Sequence, residues 1–279
     1  MKKIKNGIFK GERSFYMLKD AIIEDSVFDF GESPLKECEN LILDHVTFKY
    51  KYPLWYSNHI TVKNSTFEEL SRSGIWYTND MSIKDSTILA PKLFRRSSNI
   101  TILNSDMPNA QEMAWNAINL TVINSHIVGD YFALNLNGGY FKNILLDGNY
   151  SFDGASNLYF EDCILNSKDS LWNTENVTMK NCKIIGEYIG WNSKNLHFIN
   201  CNIESNQGFC YIKDLEIKDS VLENTDLAFE FCQNVSAKID SDMISIKNPI
   251  SGKIEVKKVG KIILDNELVD KNKVEINNE

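Results

Sequence analysis

The sequence predicts an all-β protein, a right-handed single-stranded parallel β-helix of about eleven coils with terminal caps. Three observations support this fold: an asparagine-led pattern recurs about every twenty residues, apolar and polar residues alternate within it, and all five tryptophans hold one position relative to it. Alternation with a period of two is typical of a strand with one buried face. A short repeat without helical periodicity is typical of a solenoid.

The repeat is clearest at residues 157–165, where Asn157 opens it and Leu165 closes it. Its closing position is apolar throughout, and the intervals between successive members are 19 to 21 residues except for 23 and 15 on either side of Tyr150. We therefore expect this column to fill the core. It contains Phe28, Phe48, Phe67, Ile88, Met107, Ile127, Tyr150, Leu165, Ile184, Ile203 and Leu222.

Two polar columns predict structural ladders. Asparagine and aspartate tolerate left-handed backbone, so the first column should stack at the corner after the first strand. The second column is small, and we expect Ser65, Cys163, Cys182 and Cys201 to lie inside it as buried side chains. The corner column contains Asp25, His45, Asn64, Asp85, Asn104, Asn124, Asp147, Asp162, Asn181, Asn200 and Asp219.

An uninterrupted repeat predicts a single β-helix domain over residues 1–279. Residues 1–19 are expected to form an N-terminal cap and residues 20–232 the regular coils. Residues 233–279 are expected to form less regular coils and a C-terminal cap. Caps are needed because open sheet edges pair with other chains.

Composition excludes several functions. A net charge of -8 argues against nucleic acid as a partner. No apolar run approaches the roughly eighteen residues of a membrane span, and the first residues lack the apolar stretch of a signal peptide. We therefore expect a cytoplasmic protein without a membrane partner, whose six cysteines are thiols. The four histidines fall in different columns, so no metal site and no cofactor are expected.

The tryptophan column should face outward on the second, strand-like half of each coil, because the position before it is apolar and fills the interior. We call this column the tryptophan stripe. In chain order it contains Lys36, Trp55, Trp76, Arg95, Trp115, Gly138, Asp153, Trp172, Trp191, Cys210 and Glu230.

A stripe of aromatic rings, amides and charges on an exterior sheet is suited to sugars, so we expect it to bind an oligosaccharide or a sugar acid. Flat apolar faces would contact the ring C–H groups, while polar groups would bind hydroxyls and carboxylates. The candidate binding residues are Trp55, Arg72, Trp76, Lys92, Arg96, Trp115, Trp172, Asn173, Trp191, Asn192, Tyr211 and Glu230.

Acid and base functions should meet where the basic N-terminal part of the stripe joins the acidic C-terminal part. Paired carboxylates are the machinery of glycoside hydrolysis. A carboxylate facing a cation could instead abstract a proton beside a uronate carboxyl, as a lyase or isomerase requires. The candidate catalytic residues are Arg95, Asp130, Asp153, Asp169 and Glu187.

Two other interpretations stay open. The stripe could be the contact surface of a non-catalytic scaffold, docking a partner protein or a second copy in a homodimer, since large apolar patches mark interaction surfaces. Ice binding through an outward threonine column (Thr61, Thr101, Thr121 and Thr178) is a third interpretation.

The coil pattern resembles the pectin-lyase-like superfamily of right-handed β-helices. Blocks at residues 31–37, 51–56, 74–78, 90–96, 147–150 and 186–193 are similar to those of an uncharacterised bacterial family of such proteins. The resemblance covers nearly the whole chain and implies the fold, with no established activity. The calcium-binding aspartates and the arginine pattern of pectate lyases are absent, so the resemblance does not imply lyase activity.

Overall fold

Parallel strands, each paired with the equivalent strand of a neighbouring coil, dominate the computed structural model, which describes residues 1–278. The fold is a parallel β-solenoid of about 15 turns with almost no helix, which confirms the predicted all-β class. The expected number of about eleven coils was too low, because residues 2–9 and the long strands after residue 233 also pair in parallel as further coils.

Strands account for the regular structure, apart from two 3₁₀ helices at Glu69–Ser71 and Lys271–Lys273. The strands are β1 (Lys2–Lys5), β2 (Ile8–Phe9), β3 (Lys19–Phe28), β4 (Glu39–Phe48), β5 (Asn58–Lys63), β6 (Thr66–Phe67), β7 (Asn79–Lys84), β8 (Thr87–Ile88), β9 (Ser98–Leu103), β10 (Asp106–Met107), β11 (Ile118–Val128), β12 (Asn137–Asp147), β13 (Ser156–Glu161), β14 (Ile164–Asn166), β15 (Glu175–Lys180), β16 (Lys183–Gly186), β17 (Lys194–Ile199), β18 (Asn202–Ser205), β19 (Lys213–Glu223), β20 (Gln233–Lys247), β21 (Gly252–Ile263) and β22 (Val274–Asn278).

The chain divides into two compact units, Met1–Tyr140 and the part from Phe141 onward. In the first unit β3, β4, β5, β7, β9 and β11 follow one another as parallel neighbours. In the second unit the corresponding series runs from β13 through β15, β17, β19, β20 and β21 to β22. Register shifts occur between Ile217 and Ser220 and between Ile239 and Asp242.

Apolar columns fill the interior of each unit. Phe28, Phe48 and Phe67 are fully buried, and their rings stack with centroids 5.1 and 4.9 Å apart. Phe141 and Phe160 stack in the second unit with centroids 4.8 Å apart. Burial of rings of this size contributes about 1.5–3 kcal/mol each. The repeat therefore gives each unit a continuous core rather than a set of independent ones.

The corner column adopts left-handed backbone, as predicted. Asn104, Asn181 and Asn200 have φ of 47°, 54° and 51°. Their amides also link the coils, since Asn200 Nδ2 donates to Asn181 Oδ1 at 2.9 Å and Asn181 Nδ2 donates to Asp162 Oδ1 at 3.1 Å. Each corner thereby satisfies polar groups of the next one.

The small column is buried and partly polar, and its hydroxyls satisfy the main chain. Ser105 Oγ accepts from the N–H of Ser86 at 3.2 Å and donates to the carbonyl of Leu103 at 2.8 Å. Cys163, Cys182 and Cys201 continue this column in the second unit and are at most 2% exposed. All six cysteines are unpaired and buried.

One coil was misaligned by the sequence pattern. The corner residue is Asn143, with φ of 49°, and Leu146 pairs with Leu165, so Asp147 and Tyr150 do not hold the predicted positions. The intervals of 23 and 15 residues therefore become 19 and 19. Asp147-Gly148 resembles a turn, which drew the predicted corner four residues too far along the chain.

The half of each coil that carries the tryptophans consists of turns, not of the predicted exterior sheet strand. A left-handed residue follows each tryptophan, as Asn173 with φ of 54° follows Trp172, and Leu171 before Trp172 is also left-handed, with φ of 59°. Coils still bond here, because the N–H of Asn173 donates to the carbonyl of Trp191 at 2.8 Å. The turns press the residue before each tryptophan into the core and leave the indole at the surface.

Candidate ligand-binding site

Each tryptophan of the stripe is half-buried and lies along the turn face of its unit. The N–H of Asn116 donates to the carbonyl of Leu134 at 2.8 Å, so Leu134 and not Gly138 continues the column after Trp115. Cys210 is 1% exposed and leaves the surface altogether. The prediction of an outward column is otherwise correct for the tryptophans themselves.

Four indole N–H groups donate to main-chain carbonyls farther along the chain. Trp76 donates to Lys92 at 2.7 Å, Trp115 to Tyr131 at 2.7 Å and Trp172 to Tyr188 at 3.1 Å. Trp55 donates in the same manner to Ser73. These bonds fix the indole orientation and satisfy its single donor.

In the first unit the aromatic faces are occupied by their own neighbours. Trp55 and Trp76 stack with centroids 5.7 Å apart and an interplanar angle of 13°. The Arg95 guanidinium lies 5.4 Å from the Trp76 ring and 4.1 Å from the Trp115 ring. A ring covered on its faces offers mainly its edge to solvent, so this part of the stripe is not an open platform for a sugar.

The charge of Arg95 is neutralised by Glu112. Arg95 Nε donates to the Glu112 carbonyl at 3.1 Å, and its NH2 group pairs with the Glu112 carboxylate. Lys92 Nζ lies 3.3 Å from the same carboxylate. Burial acts to raise the pKa of Glu112, but the hydrogen bonds and charges of Arg95 and Lys92 outweigh it and lower that pKa. Arg95 is thus a structural cation between two indoles.

The remaining candidates of the first unit take peripheral positions. Arg72 and Arg96 are exposed, and Arg96 donates to the Tyr77 hydroxyl at 3.1 Å. Asp130 is half-buried, and its main-chain N–H donates to Gln111 Oε1 at 3.1 Å. Arg95 and Asp130 belong to one unit and Asp153, Asp169 and Glu187 to the other.

The second unit has an open cavity of about 310 Å³ lined by Trp172, Tyr188, Trp191, Gln207 and Glu230. Trp172 and Trp191 have centroids 6.0 Å apart but are tilted by 38°, so their rings form a wedge and not a closed stack. The Tyr188 ring meets Trp191 edge-on at 5.9 Å. Three aromatic side chains therefore wall a cavity whose other lining residues are an amide and a carboxylate.

Trp191 differs from the other four tryptophans. Trp191 lines the cavity, and within residues 1–278 its indole N–H donates no hydrogen bond. Tyr211, one coil farther on, packs against Trp191 with ring centroids 5.0 Å apart and is 44% exposed. Trp191 therefore brings to the cavity lining an indole N–H that no described residue accepts from.

The polar end of the cavity is held by a small network. Glu230 Oε2 accepts from Gln207 Nε2 at 3.1 Å, and Glu230 Oε1 lies 2.8 Å from Lys247 Nζ. Hydrogen bonding to Glu230 raises the pKa of Lys247, which keeps the ammonium charged. The Glu230 side chain is only 15% exposed, so its position is well defined.

Asp153, Asn173 and Asn192 form a side-chain ladder. Asn192 Nδ2 donates to Asn173 Oδ1 at 2.8 Å, and Asn173 Nδ2 donates to Asp153 Oδ1 at 2.8 Å. Asn173 and Asn192 have left-handed backbone, with φ of 54° and 55°. These groups form the corner beside Trp172 and Trp191, and none of them is among the residues that line the cavity.

Asp169 is buried, with 5% of its surface exposed, and Asp169 Oδ1 lacks a hydrogen-bond partner in the described chain. Burial raises the pKa of Asp169, nearby Glu187 adds to the effect, and Lys168 and the N–H of Tyr188 oppose it. Glu187 pairs with Lys168 at 3.1 Å and is half exposed. Neither carboxylate lines the cavity, so the predicted catalytic group is not assembled there.

The family model described as "Protein of unknown function (DUF3737)" matches residues 2–277. The chain belongs to this family. No curated protein matches it. Among solved structures, it is similar to PfbA, a surface adhesin of Streptococcus pneumoniae, at 12% identity over 78% of this chain and 71% of that chain, with a TM-score of 0.33. It is also similar to HetL, a pentapeptide repeat protein involved in heterocyst differentiation regulation from Nostoc sp. strain PCC 7120. That match has 9% identity over 78% of this chain and 92% of that chain, with a TM-score of 0.19.

The sequence pattern did not predict three contacts of the stripe: Gln207 in the cavity, Lys247 beside Glu230 and Glu112 beside Arg95. A usable signal existed for Gln207, which lies 16 residues after Trp191, the interval by which Trp76, Trp115 and Trp172 reach their acceptors. Residues 1–278 contain no cluster of His, Cys, Asp or Glu that could hold a metal ion. Neither 3₁₀ helix in that range has the length and hydropathy needed to cross a membrane.

Proposed function

We propose that the protein binds a carbohydrate in the cavity formed by Trp172, Tyr188, Trp191, Gln207 and Glu230. The observation that carries the proposal is the unpaired indole N–H of Trp191, a residue that lines one cavity together with a tilted second indole, a carboxylate and an amide. Ligand sites combine apolar walls with a few placed polar groups in this manner.

The chemistry of a sugar ring fits these groups. Its C–H face can lie against an indole that is not already stacked, and its hydroxyls both donate and accept hydrogen bonds. The Trp191 N–H can only donate, whereas the Glu230 carboxylate can only accept. One hydroxyl can therefore accept from the indole while another donates to the carboxylate.

The proposal concerns binding and not turnover. Glycoside hydrolysis uses two carboxyl groups roughly 5 to 9.5 Å apart on either side of the bond that breaks. Glu230 is the one carboxylate among the residues that line the cavity. Gln207 contacts one of its oxygens and Lys247 the other, so Glu230 has no second carboxyl group in the cavity to act with.

We also propose that the protein works in the bacterial cytoplasm as a member of the pectin-lyase-like superfamily. The sequence resemblance supports the superfamily, and the six buried, unpaired thiols suit a reducing compartment. Fractionation of the native cell, with an antibody against this protein, checks the location.

Replacing Trp191 by Phe tests the binding site, because phenylalanine keeps an aromatic face but removes the donor. A panel of neutral mono- and disaccharides is titrated into the protein, and tryptophan fluorescence and isothermal calorimetry report saturable binding. The variant should bind about tenfold more weakly, the effect of one hydrogen bond of about 1.4 kcal/mol. Trp55→Phe, in the stacked part of the stripe, should bind as the wild type does.

Equal affinity in Trp191→Phe and the wild type would contradict the proposed role of the indole. If no sugar binds to the wild type, the proposal fails. In that case a dimer that dissociates on Trp172→Ala substitution, measured by analytical ultracentrifugation, would support the scaffold interpretation.

A further inference from the structure

The cavity has an unusual charge arrangement. Glu230 is the one charged residue among its lining, while its cation, Lys247, lies on β20 outside the lining. The Glu230 carbonyl accepts from the N–H of Tyr211 at 2.8 Å, and this bond holds the Glu230 main chain against the neighbouring coil. A ligand inside the cavity can therefore contact the Glu230 carboxylate, whereas the Lys247 ammonium lies outside the cavity lining.

We propose, on the basis of the binding function above, that the cavity accepts neutral sugars and rejects the uronic acids of the same configuration. Glu230 is the specificity-determining residue. Replacement of a CH₂OH group by a carboxylate removes a hydroxyl that can donate to Glu230 and adds a second anion that can only accept.

Two electrostatic facts decide the direction of the preference. Like charges in a partly desolvated site repel by several times the thermal energy, since the effective dielectric constant there is well below that of water. The Lys247 ammonium, 2.8 Å from Glu230 Oε1, offsets only part of this repulsion, because it does not line the cavity whereas the carboxylate does. A uronate should therefore bind at least about tenfold more weakly than its neutral counterpart.

The same arrangement predicts an inversion on Glu230→Gln substitution. Glutamine retains the shape and can still accept a hydrogen bond, but it carries no charge for Lys247 to neutralise. The ammonium then becomes the nearest unpaired charge to the cavity. Uronates should bind Glu230→Gln more tightly than neutral sugars do, so the order of the two affinities reverses.

The test uses methyl glucoside against methyl glucuronide, and methyl galactoside against methyl galacturonide, titrated calorimetrically into the full chain at neutral pH and low salt. Glu175→Gln is the matched control. Glu175 pairs with Lys194 at 2.7 Å in the same unit, and neither residue lines the cavity. It should keep the wild-type preference.

Preference of the wild type for the neutral member of a pair, with reversal in Glu230→Gln and none in Glu175→Gln, supports the inference. Equal or tighter binding of the uronate by the wild type would overturn it while leaving carbohydrate binding intact. Absence of binding by either member of each pair would overturn the proposed function and the inference together. Should Glu230→Gln fail to fold, Lys247→Met must widen the wild-type preference, and a narrower preference would refute the role of the Glu230 charge.

Discussion

Substitution of Arg95 distinguishes the catalytic role predicted from the sequence from a structural role in the first unit. As a catalytic residue it could be replaced with loss of function and little loss of stability. As the cation between Trp76 and Trp115, paired with Glu112, it should instead be needed for the fold of the first unit. We expect Arg95→Ala to destabilise the protein and to leave carbohydrate binding unchanged.

The magnitude follows from the contacts that are lost. A hydrogen bond to a charged group contributes about 1.5–3 kcal/mol, and each cation–ring contact contributes about 0.5–1 kcal/mol where it is partly exposed. Lys92 remains 3.3 Å from Glu112 and retains part of the ion pair. The net loss in the free energy of unfolding should therefore be about 2–3 kcal/mol.

Urea unfolding followed by tryptophan fluorescence and by far-ultraviolet circular dichroism measures this loss. Arg96→Ala is the control, because the Arg96 guanidinium is exposed and its loss should change stability by less than about 0.5 kcal/mol. A change of that small size in Arg95→Ala, accompanied by loss of ligand binding, would refute the structural role.

The dependence on pH gives a second check on Arg95. The pKa of Glu112 is lowered in the folded protein, so its ion pair contributes stability above the pKa of an unfolded glutamate, about 4.3. That contribution is lost as pH falls through the lowered folded pKa. The difference between the wild type and Arg95→Ala should therefore be full at pH 7 and shrink below about pH 4.

Two further outcomes concern buried polar groups. The raised pKa of Asp169 means that its charge opposes folding above the pKa of an unfolded aspartate, about 3.9, and the penalty is full above the raised folded pKa. Asp169→Asn should thus raise the free energy of unfolding by about 1 kcal/mol at pH 7 and leave it unchanged near pH 3. Thermal unfolding at the two pH values measures this difference. Destabilisation of the variant at pH 7 would contradict the account. Ser105→Ala should lower the free energy of unfolding in urea by about 1–2 kcal/mol, because the N–H of Ser86 loses its acceptor. Ser105→Cys should lower it less, since Cys182 and Cys201 occupy the same buried column. Equal losses in the two variants would count against the role of this column in satisfying the main chain.

The sequence predicted the strands and polar corners well because their signals are local. Alternation marks a strand, and asparagine marks a left-handed corner such as Asn181. The turn half was predicted as a strand because Leu171 and Phe209 are apolar and buried yet left-handed, with φ of 59° and 63°. Leucine and phenylalanine rarely adopt left-handed backbone, so the residue types at these positions did not indicate a turn.

The candidate site was predicted less well than the fold, because its members are chosen by contacts between coils. The sequence pattern treats Arg95 as a free cation, but in the structure it pairs with Glu112, 17 residues away. The pattern likewise treats Asp153 as a free carboxylate, but Asn173 donates a hydrogen bond to it. In a solenoid every surface group has close neighbours one coil away, and these decide which charges are already paired.

That same property explains where a ligand site can arise. The stacked coils satisfy one another's donors, so an indole N–H that reaches a main-chain carbonyl, as Trp76 reaches Lys92, is not available to a ligand. In the three coils whose acceptor lies 16 residues after the indole, a buried apolar residue, Leu93, Phe132 or Ile189, follows the accepting residue. After Gln207, at the same interval from Trp191, the corresponding residue is Gly208, which has no side chain to pack into the core. The indole of Trp191 is left with a free donor at this break in the pattern, and the cavity opens there rather than at the stacked tryptophans of the first unit.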